Sequence, residues 1–184
     1  ASFNLSIDII NFAENTPHLE IYEQIVKEDP DFIGYSCYIW NIEKIIEIVT
    51  GVKERLKSTI HIFGGPEISL NRVKSFSNPS IGDYYVIGEG EKKLKHLISY
   101  LLTKEKDIKK DIPLPNGIAC WQDGSLIYSK DICKPLTLDD IPSVYLNQVI
   151  DDSLYHRKQA FLETQRGCWL KCKYCVYHKN LSSV

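Results

Sequence analysis

Hydrophobic and polar positions divide the first hundred residues into alternating strand-like and helix-like segments. Residues 5–9 alternate apolar and polar side chains, which predicts a strand with one solvent-exposed face. Three later runs are nearly continuous in apolar side chains and predict buried strands: residues 31–37, 59–63 and 83–87. The pattern therefore favours four strands separated by helices.

The segments between these strands have the spacing of amphipathic helices. Thr16 and Pro17 predict the start of the first helix, and Asn41 is predicted to cap the second. The apolar face of the first helix is expected to contain Leu19, Tyr22, Ile25 and Val26, and that of the second Ile42, Ile45, Ile46, Val49, Val52 and Leu56. Two further helices are expected, one around Leu70, Val73 and Phe76 and one carrying Leu94, Leu97, Ile98 and Leu101.

Strands that alternate with helices predict an α/β fold with a doubly wound parallel sheet, because each parallel pairing needs a crossover helix. In the flavodoxin-like strand order 2-1-3-4-5, the second strand lies at the edge and the first is central. Residues 5–9 alternate as an edge strand does, so we expect the chain to start at the second strand, with the first strand upstream. We then expect residues 5–9 to pair beside residues 32–36, or with a second copy in a swapped dimer.

The pattern changes after residue 103. Two short apolar runs, residues 117–121 and 126–129, flank Asp123 and Gly124, a strong hairpin-turn signal. Residues 131–158 have no firm periodicity and predict a linker, and residues 160–164 predict a last strand. We therefore expect three parts: an α/β domain over residues 1–103, a hairpin and linker over 104–158, and a separate module that begins at 159.

Composition and charge exclude several classes of protein. The chain has 43% hydrophobic and 25% charged residues and a formal net charge of −2, typical of a globular domain and not of a nucleic-acid-binding one. No apolar run approaches the ~20 residues that a membrane-spanning helix needs, and the first residues lack the features of a secretory signal. Six cysteines in such a chain favour a reducing, cytoplasmic location and metal chemistry over disulfides.

Three of these cysteines form a compact motif. Cys168, Cys172 and Cys175 have the spacing C-x3-C-x2-C, with Tyr174 directly before the last cysteine. Three thiolates on one loop can ligate three irons of a 4Fe–4S cluster and leave the fourth iron open. The same spacing, with His178, also allows a Cys3His zinc site.

This motif, placed directly after a predicted strand, resembles the signature of the radical S-adenosylmethionine superfamily. The resemblance implies that the open iron binds the amino and carboxylate groups of S-adenosylmethionine. Reductive cleavage of that ligand would then yield a 5′-deoxyadenosyl radical.

A second signal lies at the ends of two predicted strands. Ser36, Cys37 and Tyr38 end one strand, and Gly64 and Gly65 end the next, at the edge where doubly wound sheets bind ligands. This pairing resembles the cobalamin-binding domain. The resemblance implies that Gly64 and Gly65 allow close approach of the cobalamin nucleotide tail and that the Ser36 hydroxyl lies near the tail base.

The cobalt-ligating motif Asp-x-His-x-x-Gly of many cobalamin domains is absent, so no histidine ligand is expected from this chain. His61, three residues before Gly64, lies in a predicted strand and is expected to be an ordinary packed residue.

The segment Gly88, Glu89, Gly90 and Glu91 does not fit a nicotinamide fingerprint, because Lys93 stands where the third glycine would be. A turn of this sequence recurs at this point in cobalamin-binding radical enzymes. That resemblance implies that Gly88, Glu89 and Gly90 contact the ligand. The two glutamates are expected to lie at the positive end of the helix dipole.

Other residues have simpler interpretations. Cys37, Cys120 and Cys133 are expected to be buried or half-buried thiols. Lys92, Lys93, Lys95 and residues 104–110 are expected to form a solvated face. Tyr38 and Trp40, just after a strand, are expected either to pack in the core or to form the wall of a cofactor site.

Together the two resemblances place the chain among cobalamin-binding radical S-adenosylmethionine enzymes such as the anaerobic magnesium-protoporphyrin monomethyl ester oxidative cyclase. They imply methyl transfer or oxidative cyclisation, a 4Fe–4S cluster, S-adenosylmethionine and cobalamin as cofactors, and an inactive fragment when isolated. The implied partners are a small-molecule substrate and an electron donor such as ferredoxin or flavodoxin, without nucleic acid or membrane. The alternatives are a non-catalytic cobalamin-binding module with a zinc site and a structural α/β interaction domain.

Overall fold

The computed structural model describes residues 5–106, 113–130, 136–146, 162–164, 166, 170 and 172–174. The helices in these ranges are α1 (His18–Glu28), α2 (Ile42–Arg55), α3 (Leu70–Lys74) and α4 (Glu91–Lys106). The strands are β1 (Phe32–Ser36), β2 (Ile60–Gly64), β3 (Tyr84–Val86), β4 (Ile118–Gln122) and β5 (Ser125–Tyr128), and a 3₁₀ turn covers Leu138–Asp140.

The strands form one sheet in the order β1-β2-β3-β4-β5. The first three are parallel: Phe32 of β1 lies beside Ile60 of β2, and Ile62 of β2 beside Tyr84 of β3. A helix separates each strand of this parallel set from the next along the chain. The predicted α/β class with a mostly parallel, doubly wound sheet is therefore confirmed.

The chain divides into two compact units, and the first contains Ala1–Tyr85 with Cys120–Ser125. Helices α1 and α2 bury Ile21, Ile48 and Val52 against each other. A second apolar cluster in this unit is aromatic, with ring-centroid distances of 5.2 to 6.4 Å among Tyr35, Phe63, Phe76 and Tyr85. These contacts fix β1 and β2, whose carboxyl ends carry the candidate site.

The second unit contains Val86–Ala119 and Leu126–Val184. Helix α4 buries Leu97 and Leu101. The predicted hairpin is confirmed: Ser129 donates to the Ile118 carbonyl at 3.0 Å. The turn residues belong to the Cys120–Ser125 part of the first unit. They have positive φ at Asp123 (49°) and Gly124 (74°), as a two-residue hairpin turn with two left-handed positions requires.

The predicted strand over residues 5–9 is wrong in the single chain. These residues have no regular structure, and Ile7 and Ile9 are 78% and 80% exposed. Within the described residues β1 pairs with β2 alone, so the expected pairing beside residues 32–36 is absent. An alternating segment forms a stable strand only when a neighbour satisfies its backbone and covers its apolar face. The swapped dimer stays a prediction.

Several boundaries and faces also differ from the predictions. Pro17, not Thr16, is the N-cap of α1, and no side chain caps this helix. Leu19 is 65% exposed, whereas Ile21 is buried between α1 and α2. Ile48 belongs to the buried face of α2, and Leu94 of α4 is 42% exposed. Periodicity located the helices and most of each buried face, including Val49 and Val52 of α2, but not these individual positions.

Two further observations concern the later part of the chain. Residues 162–164, which fall in the predicted last strand, have no strand structure. Across the ranges that the structure describes, no helix is long and apolar enough to cross a membrane.

Candidate functional site

The loop after β1 is held by the side chain of Asn41. Its Oδ1 accepts a hydrogen bond from the Tyr38 backbone N–H at 2.7 Å, and its Nδ2 donates to the Ser36 carbonyl at 3.0 Å. Asn41 does occupy the N-cap position of α2, but its side chain makes no capping bond to the helix. The carboxamide instead fixes the loop and leaves Ser36 exposed at the end of β1.

The loop after β2 packs on the same segment. Cys37 N–H donates to the Gly64 carbonyl at 2.7 Å, and Glu67 N–H donates to the Cys37 carbonyl at 3.2 Å. Gly65 has φ of +107°, and a Cβ at this position would lie 2.6 Å from the Cys37 carbonyl oxygen. Gly65 is therefore required by the close approach of two protein loops, whether or not a ligand binds beside it.

Tyr38 and Trp40 form an exposed aromatic surface beside Ser36. Their rings stack with centroids 4.6 Å apart and an interplanar angle of 14°. Trp40 is 69% exposed and Ile39 is 77% exposed, so the expectation that Trp40 packs in the core is wrong. The pair offers a flat apolar surface at the carboxyl end of β1.

Cys37 contributes packing and not a reactive thiol. The residue is fully buried, and burial raises the pKa of its thiol to about 12. The thiol stays protonated at neutral pH, where only a thiolate would act as nucleophile or metal ligand. Cys120 is half-buried, so the prediction is confirmed for these two cysteines, whereas Cys133 lies outside the described residues.

His61 is a packed residue, as predicted. It is fully buried, and its Nδ1 lies 2.9 Å from the Tyr35 hydroxyl. Its backbone N–H donates to Asp83 Oδ2 at 2.7 Å, and Asp83 also forms an ion pair with Lys53 at 2.9 Å. Burial, with a smaller effect of Lys53, lowers the pKa of His61 to about 4 against the opposing effect of Asp83.

The glycine-glutamate turn follows β3 and begins α4. Gly88 has φ of +77°, and a Cβ there would lie 3.2 Å from Lys93 Nζ. A Cβ on Gly90 would meet nothing within 4 Å. Lys93 is only 7% exposed and donates to the Ile87 carbonyl at 2.7 Å, so its predicted place on a solvated face is wrong. Its aliphatic stem is covered by protein while its ammonium bonds the backbone.

Both glutamates of this turn contact later parts of the chain. Glu89 Oε2 accepts from the Leu136 backbone N–H at 3.3 Å. Glu91 Oε1 lies 2.7 Å from Arg166 Nη2. Burial raises the pKa of Glu91, but the hydrogen bonds from Arg166 and from its own backbone outweigh this effect and leave that pKa below its ordinary value. The two carboxylates therefore bond to Leu136 and Arg166, in addition to lying at the start of the helix.

Most of the predicted cysteine site lies outside the described residues. This holds for Cys168 and Cys175, and for His178 of the zinc alternative. Cys172 is half-buried, and Tyr174 is 90% exposed. Within the described part of the chain, no group of three or more His, Cys, Asp or Glu side chains is arranged to hold a metal ion.

Sequence reasoning missed three polar side chains that organise these segments. Asn41 carried a signal as a helix start, but its bonds to the preceding loop were not predicted. Asp83 is the first residue of the strand predicted over residues 83–87, and the sequence pattern predicts no role for Arg166. Asp83 bonds to His61, which is 22 positions away, and Arg166 bonds to Glu91, which is 75 positions away. No local sequence pattern could identify contacts over these distances.

Comparisons with known proteins identify relatives of this chain. The cobalamin-dependent radical SAM methyltransferase TokK of Streptomyces tokunonensis is 27% identical over 165 residues, 86% of this chain and 23% of that protein. The 2-(S-pantetheinyl)-carbapenam-3-carboxylate methyltransferase of Streptantibioticus cattleyicolor is 28% identical over 153 residues, 80% of this chain and 22% of that protein. The chain thus spans about a quarter of the length of these relatives.

The family comparison covers the parallel part of the sheet. The model of the B12 binding domain matches residues 3–98, which include β1, β2, β3 and the loops that follow them. The alternative of a zinc site on a non-catalytic module has no support in these comparisons. The match spans more than half of the 184 residues, so the chain belongs to the B12 binding domain family.

Proposed function

We propose that this chain is the cobalamin-binding segment of a cobalamin-dependent radical S-adenosylmethionine methyltransferase. The observation that carries the proposal is the match of residues 3–98 to the B12 binding domain. Both relatives are methyltransferases by name, which favours methyl transfer over the oxidative cyclisation that the sequence left open. Cyclisation stays an alternative without support from these names.

Two features at the carboxyl end of β1 support this proposal. Asn41 fixes the backbone from Ser36 to Tyr38, so the loop loses little conformational freedom when a ligand binds. The stacked Tyr38 and Trp40 rings expose apolar area that a ring system can cover. We therefore propose that cobalamin binds beside Ser36, Tyr38, Gly64 and Gly65. When bound, cobalamin would supply a carrier for the transferred methyl group.

The roles of the remaining predicted residues are part of the same proposal. Gly88, Glu89 and Gly90 stay candidates for ligand contact, with the open space beside Gly90 as support. Cys37 has no exposed surface, so its contribution would be to hold the loop. We keep the predicted limits of residues 1–103 for the cobalamin-binding domain, 104–158 for the hairpin and linker, and 159–184 for the start of the radical module.

The cluster is proposed from the cysteine motif. Cys168, Cys172 and Cys175 would ligate a 4Fe–4S cluster, with Tyr174 near S-adenosylmethionine at the open iron. The name of one relative supports this chemistry, since TokK is a cobalamin-dependent radical SAM methyltransferase. The activity would further require a small-molecule substrate and an electron donor such as ferredoxin or flavodoxin.

Cobalamin titration of the full-length protein tests the first part. We expect Trp40→Ala to weaken cobalamin binding roughly three- to tenfold, because it removes the exposed half of the stacked pair. Leu19→Ala is the matched control, since it truncates a similarly exposed apolar side chain on α1. Equal affinity of Trp40→Ala and wild-type protein would contradict the proposed binding surface.

Anaerobic reconstitution of the full-length protein tests the second part. We expect iron, sulfide and a brown charge-transfer absorption in the wild type. The variant with all three cysteines of the motif changed to alanine should lose them. Retention of four irons at this site by that variant would overturn the assignment.

A further inference from the structure

The segment that precedes the predicted cluster loop is attached to the start of α4 by one guanidinium group. Arg166 Nη2 lies 2.7 Å from Glu91 Oε1 and 2.7 Å from Glu163 Oε2, and Nε lies 3.0 Å from Glu163 Oε1. The contact with Glu163 is therefore bidentate and local, whereas the contact with Glu91 joins positions far apart in the sequence. Arg166 stands two residues before Cys168.

The guanidinium of this cluster is mostly covered, whereas both carboxylates are exposed. The Arg166 side chain is only 17% exposed, compared with 40% for Glu91 and 48% for Glu163. Exposed pairs contribute little because water screens them and both side chains lose entropy. A partly buried, forked arginine bonded to two carboxylates is stronger and has a defined geometry.

The neighbouring glutamate of the same turn provides a second attachment. Glu89 accepts a hydrogen bond from the Leu136 backbone N–H at 3.3 Å. Leu136 is itself buried, and the following 3₁₀ turn has a capping box formed by Thr137 and Asp140. Glu89 and Glu91 therefore each hold a different later segment of the chain at the start of α4.

We propose that Arg166 is a positioning residue that ties the cysteine segment to the glutamate turn through Glu91. The inference rests on the proposed function for its biological meaning, because it assigns the position of a loop whose cysteines would ligate the cluster. The physical content is a coupling between Glu91 and Arg166 that holds Arg166, and with it Glu163, at the start of α4. Neither residue contacts a reacting atom in this role.

Hydrogen–deuterium exchange on the full-length protein tests this coupling. We expect Glu91→Gln and Arg166→Gln each to increase the exchange rate in peptides covering residues 162–174 by roughly five- to tenfold, since each removes one side of a charge-assisted hydrogen bond. The double variant should exchange no faster than the more affected single variant, because both changes break the same contact. Multiplicative effects in the double variant would overturn the proposal.

Glu163→Gln is the matched control, because it removes a carboxylate from the same guanidinium without touching α4. We expect it to change exchange in the segment less than Glu91→Gln does. If Glu163→Gln accelerates exchange equally, the local pair and not the contact with α4 holds the segment, and the proposal fails.

A second readout separates this inference from the proposed function. Glu91→Gln should change the iron content of the protein. It should also change the electron paramagnetic resonance spectrum of the reduced protein with S-adenosylmethionine. The cobalamin content of Glu91→Gln and of wild-type protein should be equal. If wild-type protein binds no iron, the proposed function fails, but the exchange coupling still tests the role of Arg166.

Discussion

Gly65 lies so close to Cys37 that a Cβ at position 65 would be 2.6 Å from the Cys37 carbonyl oxygen and 2.8 Å from its nitrogen. Both are backbone atoms. The Cys37 N–H donates a hydrogen bond to the Gly64 carbonyl, and the Cys37 carbonyl accepts one from the Glu67 N–H. The loop after β1 therefore cannot shift away without losing hydrogen bonds. Because Gly65 has no side chain, the loops after β1 and β2 can pack directly against each other.

We expect Gly65→Ala to destabilise the protein by about 2–4 kcal/mol, from its left-handed backbone conformation and the contact with Cys37. Urea unfolding measures this effect. Gly34→Ala is the control, since a Cβ there meets nothing within 4 Å, and it should change stability by less than about 1 kcal/mol. Equal effects of the two substitutions would show that the junction is not tight.

A second prediction concerns Asn41. Replacement by alanine removes the bonds to Tyr38 N–H and the Ser36 carbonyl and should cost about 1–2 kcal/mol in unfolding experiments. Asn41→Asp keeps the acceptor for Tyr38 but loses the donor to Ser36, so its cost should be intermediate. Exposed Asn71 of α3 provides the control in Asn71→Ala. A neutral Asn41→Ala would contradict the role of Asn41 in fixing the loop.

A third prediction concerns acid stability. His61 has a folded-state pKa of about 4, below its ordinary value of about 6.5. Between these pH values the unfolded chain binds a proton at this position that the folded chain does not. The His61 contribution to stability is therefore complete above pH 6.5 and falls as the pH drops towards 4, by at most about 1.4 kcal/mol per pH unit.

The free energy of unfolding is measured for wild type and His61→Gln between pH 4 and 7. Because both proteins contain the same carboxylates, the difference between them isolates the contribution of His61. The difference between the two proteins should change with pH in this window. The groups that face His61 are Tyr35, Asp83 and Lys53, so the variant is measured with all three intact. His18→Gln, at an exposed histidine whose Nδ1 lies 3.1 Å from Glu47 Oε2, is the matched control.

A fourth prediction concerns Lys93 and Gly117. A Cβ on Gly117 would lie 2.7 Å from the Lys93 Cδ and Cε atoms, and Gly117 has φ of +75°. We expect Gly117→Ala to cost about 1–3 kcal/mol. In a Lys93→Ala background the steric part disappears and only the backbone part remains, so the cost should be smaller. Additive unfolding free energies in the double variant would exclude this packing.

The predictable features were those encoded in neighbouring residues. The hairpin followed from Asp123 and Gly124, and the helices from spacing of apolar positions. Contacts between distant residues could not be inferred: Lys93 belongs to a lysine-rich stretch, but its side chain packs beside Gly117. Motifs predict that Ser36 and Gly65 lie at the carboxyl ends of strands, but the packing of Gly65 on Cys37 joins residues 28 positions apart and has no local sequence signal.

The open side of β1 has a practical consequence. Within the described residues its other side has no pairing strand, and the edge of a sheet is a template for intermolecular strand addition. Purified samples should thus become prone to aggregation as concentration rises. Gly34 is exposed in the middle of this strand, with open space beside its Cα, so Gly34→Lys would place a charge there and improve solubility.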